Sequence, residues 1–103
     1  MRMMLKASIP VEKGNYTIAD GSLPRIVQEI LGEMKPEAAY FLTLDGKRTS
    51  LVFFDLADPS QIPGVAEPFF MAFGANVEFY PVMNGDDLAK GLDGATAAAR
   101  KYM

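Results

Sequence analysis

The chain has 103 residues, half of them hydrophobic, and a formal net charge of −3. This size and composition are typical of one ordinary globular domain. Because the chain contains neither cysteine nor histidine, disulfides, thiolate nucleophiles, histidine bases and Cys- or His-ligated metal and haem sites are excluded. We therefore expect no cofactor and no metal site; the remaining alternative is a hard cation held by carboxylates, for which the sequence has no motif.

The distribution of charge and hydropathy predicts neither a nucleic-acid partner nor a membrane protein. Nucleic-acid binding needs clustered basic residues, whereas the ten lysines and arginines are mostly scattered singly along an acidic chain. No apolar run approaches the ~18 residues of a membrane span. The apolar start at residues 1–6 is too short for a signal peptide, so we expect a cytoplasmic location.

The first predicted element is a strand at residues 3–9. Its odd-numbered residues are apolar and alternate with Met4, Lys6 and Ser8. Alternation with a period of two is typical of a strand with one buried face. Pro10 ends the strand because proline has no N–H to donate to a ladder.

A helix in two pieces and a hairpin come next. Residues 15–19 form a short first piece, and an apolar stripe at helical spacing predicts the main helix at residues 22–35. Two strands follow at 38–44 and 49–56. The dipeptide 45–46, Asp-Gly, joins them as a tight hairpin because both residues tolerate a positive φ.

The second helix has a strong start signal in Asp-Pro-Ser-Gln at residues 58–61, with an N-cap, a first-turn proline and a capping-box glutamine. Its apolar face continues to Gly74. Pro63 and Pro68 are predicted to bend or break it, since each removes a backbone donor. Residues 76–83 are the fourth predicted strand.

The remainder predicts a short third helix capped by Asn84, then a tail at residues 94–103 that is helical or, by preference, poorly ordered. Residues 1–93 form one domain in the order βαββαβ. This order predicts a ferredoxin-like α+β fold, a four-stranded antiparallel sheet with its helices on one face and a short C-terminal helix added.

The sheet is predicted to be apolar on both faces. Residues 51–54 are all apolar, and Tyr40 and Leu42 lie opposite the neighbouring Phe41. Monomers rarely expose such a patch, so we expect a homodimer formed through the non-helical sheet face. The alternative is that the C-terminal segment folds back over this face.

Three stretches resemble those of small, functionally uncharacterised bacterial single-domain members of the dimeric α+β barrel superfamily; they are residues 20–24, 58–61 and 81–84. Element order, size and the two-faced sheet also resemble this superfamily, and the likeness extends to about residue 93. It implies two ferredoxin-like sheets packed face to face. Its characterised members include muconolactone isomerases, cofactor-independent quinone-forming monooxygenases, haem-degrading enzymes and amino-acid-responsive regulator domains, so the fold alone implies no single activity.

The candidate pocket consists of polar residues predicted to point between two such sheets. Strand parity places Lys6, Ser8, Glu78 and Tyr80 together, and Tyr40 adds a phenol from the second strand. A lysine or carboxylate removed from water there would have a shifted pKa and could act as an acid or base. The favoured alternative is that Lys6 and Glu78 form only a structural ion pair.

Three functional hypotheses remain open at this point. The first is a dimer that binds a small apolar or aromatic molecule between its sheets. The second is a non-enzymatic regulatory or protein-interaction module. The third is a cofactor-independent enzyme of the monooxygenase or isomerase type. A purely structural role is the remaining alternative, and no motif decides whether the protein is an enzyme.

Overall fold

The computed structural model describes residues 1–103 as a four-stranded antiparallel sheet with four α-helices, consistent with the ferredoxin-like fold. The strands are β1 (Arg2–Ile9), β2 (Ala38–Leu44), β3 (Lys47–Asp55) and β4 (Asn76–Pro81). The helices are α1 (Val11–Ala19), α2 (Ser22–Met34), α3 (Ile62–Phe73) and α4 (Gly85–Tyr102). None of them is both long and apolar enough to cross a membrane.

The sheet has the order β2-β3-β1-β4, so the first strand lies at the centre and β2 and β4 form the edges. The register fixes which side chains are neighbours. Lys6 of β1 lies opposite Leu51 of β3 on one side and Glu78 of β4 on the other. Leu51 in turn lies opposite Tyr40 of β2. These four residues form one row across the sheet, and they point to the same face.

The hydrophobic core lies between the other face of the sheet and the helices. Every odd-numbered residue of β1 from Met3 to Ile9 is buried, and Leu5 is 0% exposed. The helices contribute Ile30 of α2 and Phe69 and Phe73 of α3. Burying one side chain of this size stabilises the fold by about 1.5–3 kcal/mol, so this face holds the domain together.

The β2–β3 hairpin has the turn that its sequence predicts. Asp45 has a φ of 53° and Gly46 a φ of 74°. Two successive positive values are typical of a type I′ turn, whose twist matches that of the strands it joins. The turn fixes the pairing of β2 with β3 and places the hairpin end beside the carboxyl end of β1.

Helix α3 begins as its start signal predicts but is not broken by its prolines. A 3₁₀ turn at Pro59–Gln61 precedes it, and the side chains of Asp58 and Gln61 form a capping box. Pro63 lies in the first helical turn, where a missing N–H leaves no bond unmade. The helix continues through Pro68, which we attribute to the burial of Phe69 and Phe73 just beyond it.

The C-terminal region differs from the predicted short helix and poorly ordered tail. Residues 85–102 form one helix of 18 residues, α4. A capping box between Asn84 and Asp87 stabilises its start, and Arg100 and Lys101 lie in its last turn, where the helix dipole favours cations. Alanines at positions 95 and 97–99 follow Gly94 and favour the helix on its C-terminal side.

Candidate functional site

The face of the sheet that carries no helix, the open sheet face, is largely apolar. Its apolar and aromatic side chains, assigned from the strand register, are Met4, Tyr40, Leu42, Leu51, Phe53 and Tyr80. Tyr40 is 62% exposed, which is unusual for an aromatic residue at the middle of a strand. The open sheet face therefore presents a continuous apolar surface to its surroundings.

An ion pair interrupts this apolar surface on the β1–β4 side. Nζ of Lys6 lies 3.5 Å from Oε2 of Glu78. The two side chains are 24% and 49% exposed, so the lysine is the more buried partner. Because β1 is central, apolar neighbours flank the aliphatic part of Lys6 while its ammonium group reaches the carboxylate at the edge strand.

Tyr80 belongs to the same group of polar atoms. Its phenol interacts with the side chain of Glu78, and this interaction, with some burial and the negative charge of the carboxylate, raises the pKa of Tyr80 above its ordinary value. The ammonium group of Lys6 acts in the opposite direction and offsets a part of this shift. Tyr80 is therefore held as a neutral phenol beside a carboxylate.

Ser8 lies two residues after Lys6 on the same face of β1, at the hairpin end of the sheet. There the open sheet face dips into a depression of about 470 Å³, lined in part by Lys6, Ser8, Asn76 and Glu78. The depression offers an ammonium group, a carboxylate, a hydroxyl and an amide within one small volume. Such a set can orient a polar substituent of a small molecule.

Tyr40 does not join this cluster within one chain. It shares the row of Lys6 and Glu78 but lies two strands from Lys6, a separation of roughly 9–10 Å at the usual strand spacing. Its ring instead packs edge-on against Phe53, with the ring centroids 6.3 Å apart. The structure thus places Lys6, Ser8 and Glu78 around this depression, with Tyr80 near Glu78 but outside the lining, and it leaves Tyr40 on the opposite side of the same face.

The largest depression, about 920 Å³, lies at the other end of the sheet. Most of its charged groups already pair with one another. Nε of Arg2 lies 2.5 Å from Glu37, and the amino group of Met1 lies 2.7 Å from Asp55. These pairs are exposed, which makes each of them a weak interaction, and of the charged residues that line the depression only Lys35 has no ion pair. We therefore place the candidate site at the hairpin end of the open sheet face.

A third depression of about 470 Å³ lies beside the edge strand β2, between that strand and the start of α2. Its lining includes Leu23, Val27 and Phe41, and Phe41 is 57% exposed. Because β2 is an edge strand, unpaired backbone groups accompany this apolar groove. The combination is suited to an extended chain rather than to a small ligand.

Several residues of the candidate site were not predicted from the sequence. Lys47, Asn76 and Phe70 also line the depression. Lys47 follows the hairpin turn directly, and the hairpin register could have placed it. Asn76 pairs with Ser8, a relation between two strands far apart in sequence. No group of three acidic side chains is placed to hold a metal ion.

Comparison with known proteins supports the fold. No protein-family model and no curated protein matches the sequence. Among solved structures, a formyltetrahydrofolate deformylase from Pseudomonas putida KT2440 superimposes with a TM-score of 0.50 at 20% sequence identity. The match covers 80% of this chain but 29% of the deformylase. At this identity the likeness concerns the fold alone, and the chain has a fold consistent with the ferredoxin-like class.

Proposed function

We propose that the protein is a homodimer that binds a small apolar or aromatic molecule between two open sheet faces. The observation that carries the proposal is the open sheet face itself, a surface of aromatic and aliphatic side chains with one polar cluster at its edge. A monomer would leave this surface in water, at a cost proportional to its apolar area. A second copy of the same face covers it most simply, since twofold dimers are the commonest oligomers.

The polar cluster supplies the chemistry of recognition in this proposal. Two facing sheets would remove Lys6 and Glu78 from water, and their mutual charge would limit the cost of doing so. A ligand with an aromatic body would lie against Phe53 and Leu51. Its polar substituent would meet the ammonium group of Lys6 or the phenol of Tyr80. Tyr40 of the second copy would close the cavity from the facing sheet.

Sedimentation equilibrium tests the dimer. Leu51→Glu places a charge at the middle of the open sheet face, and we expect it to abolish association through this face, so that the mean mass falls below that of the wild type at the same concentration. Met71→Glu is the matched control, because Met71 lies on α3, is 76% exposed and is remote from this face. A wild-type protein that sediments as a protomer at every concentration would contradict the proposal.

Binding of 8-anilinonaphthalene-1-sulfonate, an aromatic anion that fluoresces in apolar surroundings, tests the cavity. We expect the folded wild-type protein to bind it, Lys6→Met to bind it more weakly, and the Leu51→Glu variant to lose binding. Lys35→Met, an exposed lysine after α2, is the control for net charge. Equal binding by wild type and the Leu51→Glu variant would show that no cavity between sheets is involved.

The groove beside β2 favours a second candidate, a protein-interaction module. An extended peptide could add to the free edge of β2 and place an apolar side chain against Phe41 and Val27. The sheet would then gain a strand without any use of its open face. Phe41→Ser would abolish such binding but leave dye binding unchanged, whereas Lys6→Met would have the opposite pattern. Partner capture that survives Phe41→Ser would rule this candidate out.

A further inference from the structure

Helix α4 stands apart from the rest of the molecule. No residue from Met83 to Met103 is buried, and the longest dimension of the molecule is 57 Å against 28 and 21 Å for the other two. An 18-residue helix accounts for roughly 27 Å of that length. Near its start, the carboxylate of Asp87 accepts a hydrogen bond from the backbone N–H of the N-cap residue Asn84 and lies 3.9 Å from a guanidinium nitrogen of Arg2. α4 therefore projects as an arm anchored only at its first turn.

The arm alone lacks what normally stabilises a helix. Helical stability in proteins comes mostly from packing of an apolar face, and isolated helices of this length are marginal in water. Gly91 and Gly94 lie inside it, and glycine destabilises a helix interior relative to alanine. A helix that has two interior glycines and is held to its own domain only at its first turn indicates a packing partner outside the chain.

The arm has an apolar seam with the spacing of paired helices. The seam consists of Leu88, Leu92, Ala95, Ala99 and Tyr102, separated by steps of four, three, four and three residues. This alternation repeats every seven residues and keeps one narrow stripe facing a neighbouring helix. Ala97 and Lys90 lie on the opposite side of the helix. Both leucines and the tyrosine are exposed.

We propose that the arm packs antiparallel against the arm of a second copy, with Ala95 facing Ala95. The seam extends seven residues from Ala95 in each direction, to Leu88 and to Tyr102, but its two halves differ in size: the leucines precede Ala95, whereas Ala99 and Tyr102 follow it. Antiparallel packing therefore places Leu92 of one arm against the small residues near Ala99 of the other. Parallel packing would place leucine against leucine and leave the alanine half loosely packed.

The charges of the arm select the same direction. Its first turn carries Asp86 and Asp87, and its last turn carries Arg100 and Lys101. Antiparallel arms bring each acidic turn to the partner's basic turn, and they also oppose the two helix dipoles. Parallel arms would bring acid beside acid and base beside base. The second copy of this chain is thus the partner whose size and charge fit the arm.

The arm pair is an interface separate from the one between open sheet faces. The twofold axis of an antiparallel pair is perpendicular to the helices and passes near Ala95, about 15 Å from the start of the arm at Gly85 at 1.5 Å per residue. It therefore passes outside the sheet. The arm pair can form whether or not the sheets pair. If both interfaces form, chains assemble into species larger than a dimer.

Single-cysteine cross-linking tests the arm pair, and the absence of cysteine from the chain makes it unambiguous. Facing Cα atoms of helices ~9–10 Å apart are about 4–5 Å from each other, which suits a disulfide. Under mild oxidation of the full chain we expect Ala95→Cys to form covalent dimers on a non-reducing gel. Ala97→Cys, on the opposite side of the helix, is the control and should remain monomeric.

Three further outcomes decide the proposal. Leu88→Cys should not cross-link to itself, and efficient cross-linking there would show parallel arms. Adding Leu92→Glu to Ala95→Cys should lower the cross-linked fraction several-fold, with circular dichroism checking that the helix is retained. Adding Leu51→Glu to Ala95→Cys should leave the cross-linked fraction unchanged. Equal cross-linking at residues 95 and 97, or its loss with Leu51→Glu, would overturn a separate arm interface.

Discussion

The two faces of the sheet are made by the same strands but have different partners. On the helix side, Leu5 and Val52 are almost completely buried, and the chain itself supplies everything that packs on them. On the open side, Tyr40 is mostly exposed and Phe53 only partly covered. Alternation along a strand assigns each residue to a face, but it says nothing of what covers that face. The comparison therefore separates residues that make the fold from residues available to a partner.

Phe53 and Phe54 provide the sharpest test of this difference, because they are identical neighbours on opposite faces. Phe54 is 5% exposed within the core. We expect Phe54→Ala to lower the free energy of unfolding by about 3–5 kcal/mol, as for a large core residue. Phe53→Ala should lower the free energy of unfolding of the dissociated chain by far less. Urea unfolding at low protein concentration gives both values, and equal losses would remove the distinction between the faces.

The dependence of thermal stability on protein concentration separates the faces further. Self-association stabilises the folded state by mass action, so the melting temperature of the wild type should rise with protein concentration. Phe53→Ala should flatten this dependence, because it weakens the proposed sheet-to-sheet contact. Phe54→Ala should lower the melting temperature at every concentration but leave its dependence on protein concentration unchanged. Scanning calorimetry over a wide concentration range measures both, and a flat wild-type profile would argue against association.

The polar cluster on the open face is expected to show itself in the titration of Tyr80. Its pKa is raised above the ordinary value of about 10. The stability that accompanies this shift is fully present below the unfolded pKa and is lost as the pH rises through the higher folded pKa. Absorbance titration of wild type and Tyr80→Phe isolates the contribution of Tyr80. Glu78→Gln should move the titration midpoint of Tyr80 to lower pH. An unchanged midpoint would show that Glu78 does not raise the pKa of Tyr80.

The smallest expected effect lies outside both faces, at the start of α3. A hydrogen bond from Ser60 lowers the pKa of Asp58, so its stabilising effect is present above its unfolded pKa of about 3.9 and is lost as the pH falls through the lower folded value. Asp58→Ala should lower the melting temperature by a few degrees at neutral pH and less in acid. A loss independent of pH would show that the cap acts without its charge.

Much of the fold follows from local signals in the sequence. Alternation in β1, the Asp45-Gly46 turn and the cap at Asp58 each act within a few residues, and the structure agrees with all three. The continuity of α3 through Pro68 could not be predicted in this way. It depends on how well Phe69 and Phe73 are buried against the sheet, which is a property of tertiary packing.

The candidate site was only partly predictable for the same reason. Parity along each strand places Lys6 and Glu78 on one face, but the 3.5 Å contact depends on the register between β1 and β4. The contribution of Asn76 and Lys47 to the depression also depends on that register. The spacing of Leu88 and Leu92 fits a core helix as well as an arm, so the position of α4 required the structure.

The detachment of α4 from the core also has a consequence for cooperativity. A segment whose helical state is not coupled to the sheet can melt without unfolding the domain. The chain should then behave as two cooperative units, with amide hydrogens of residues 88–102 exchanging much faster than those of β1. Far-ultraviolet circular dichroism would lose helical signal on heating before the aromatic near-ultraviolet signal of the core begins to fall.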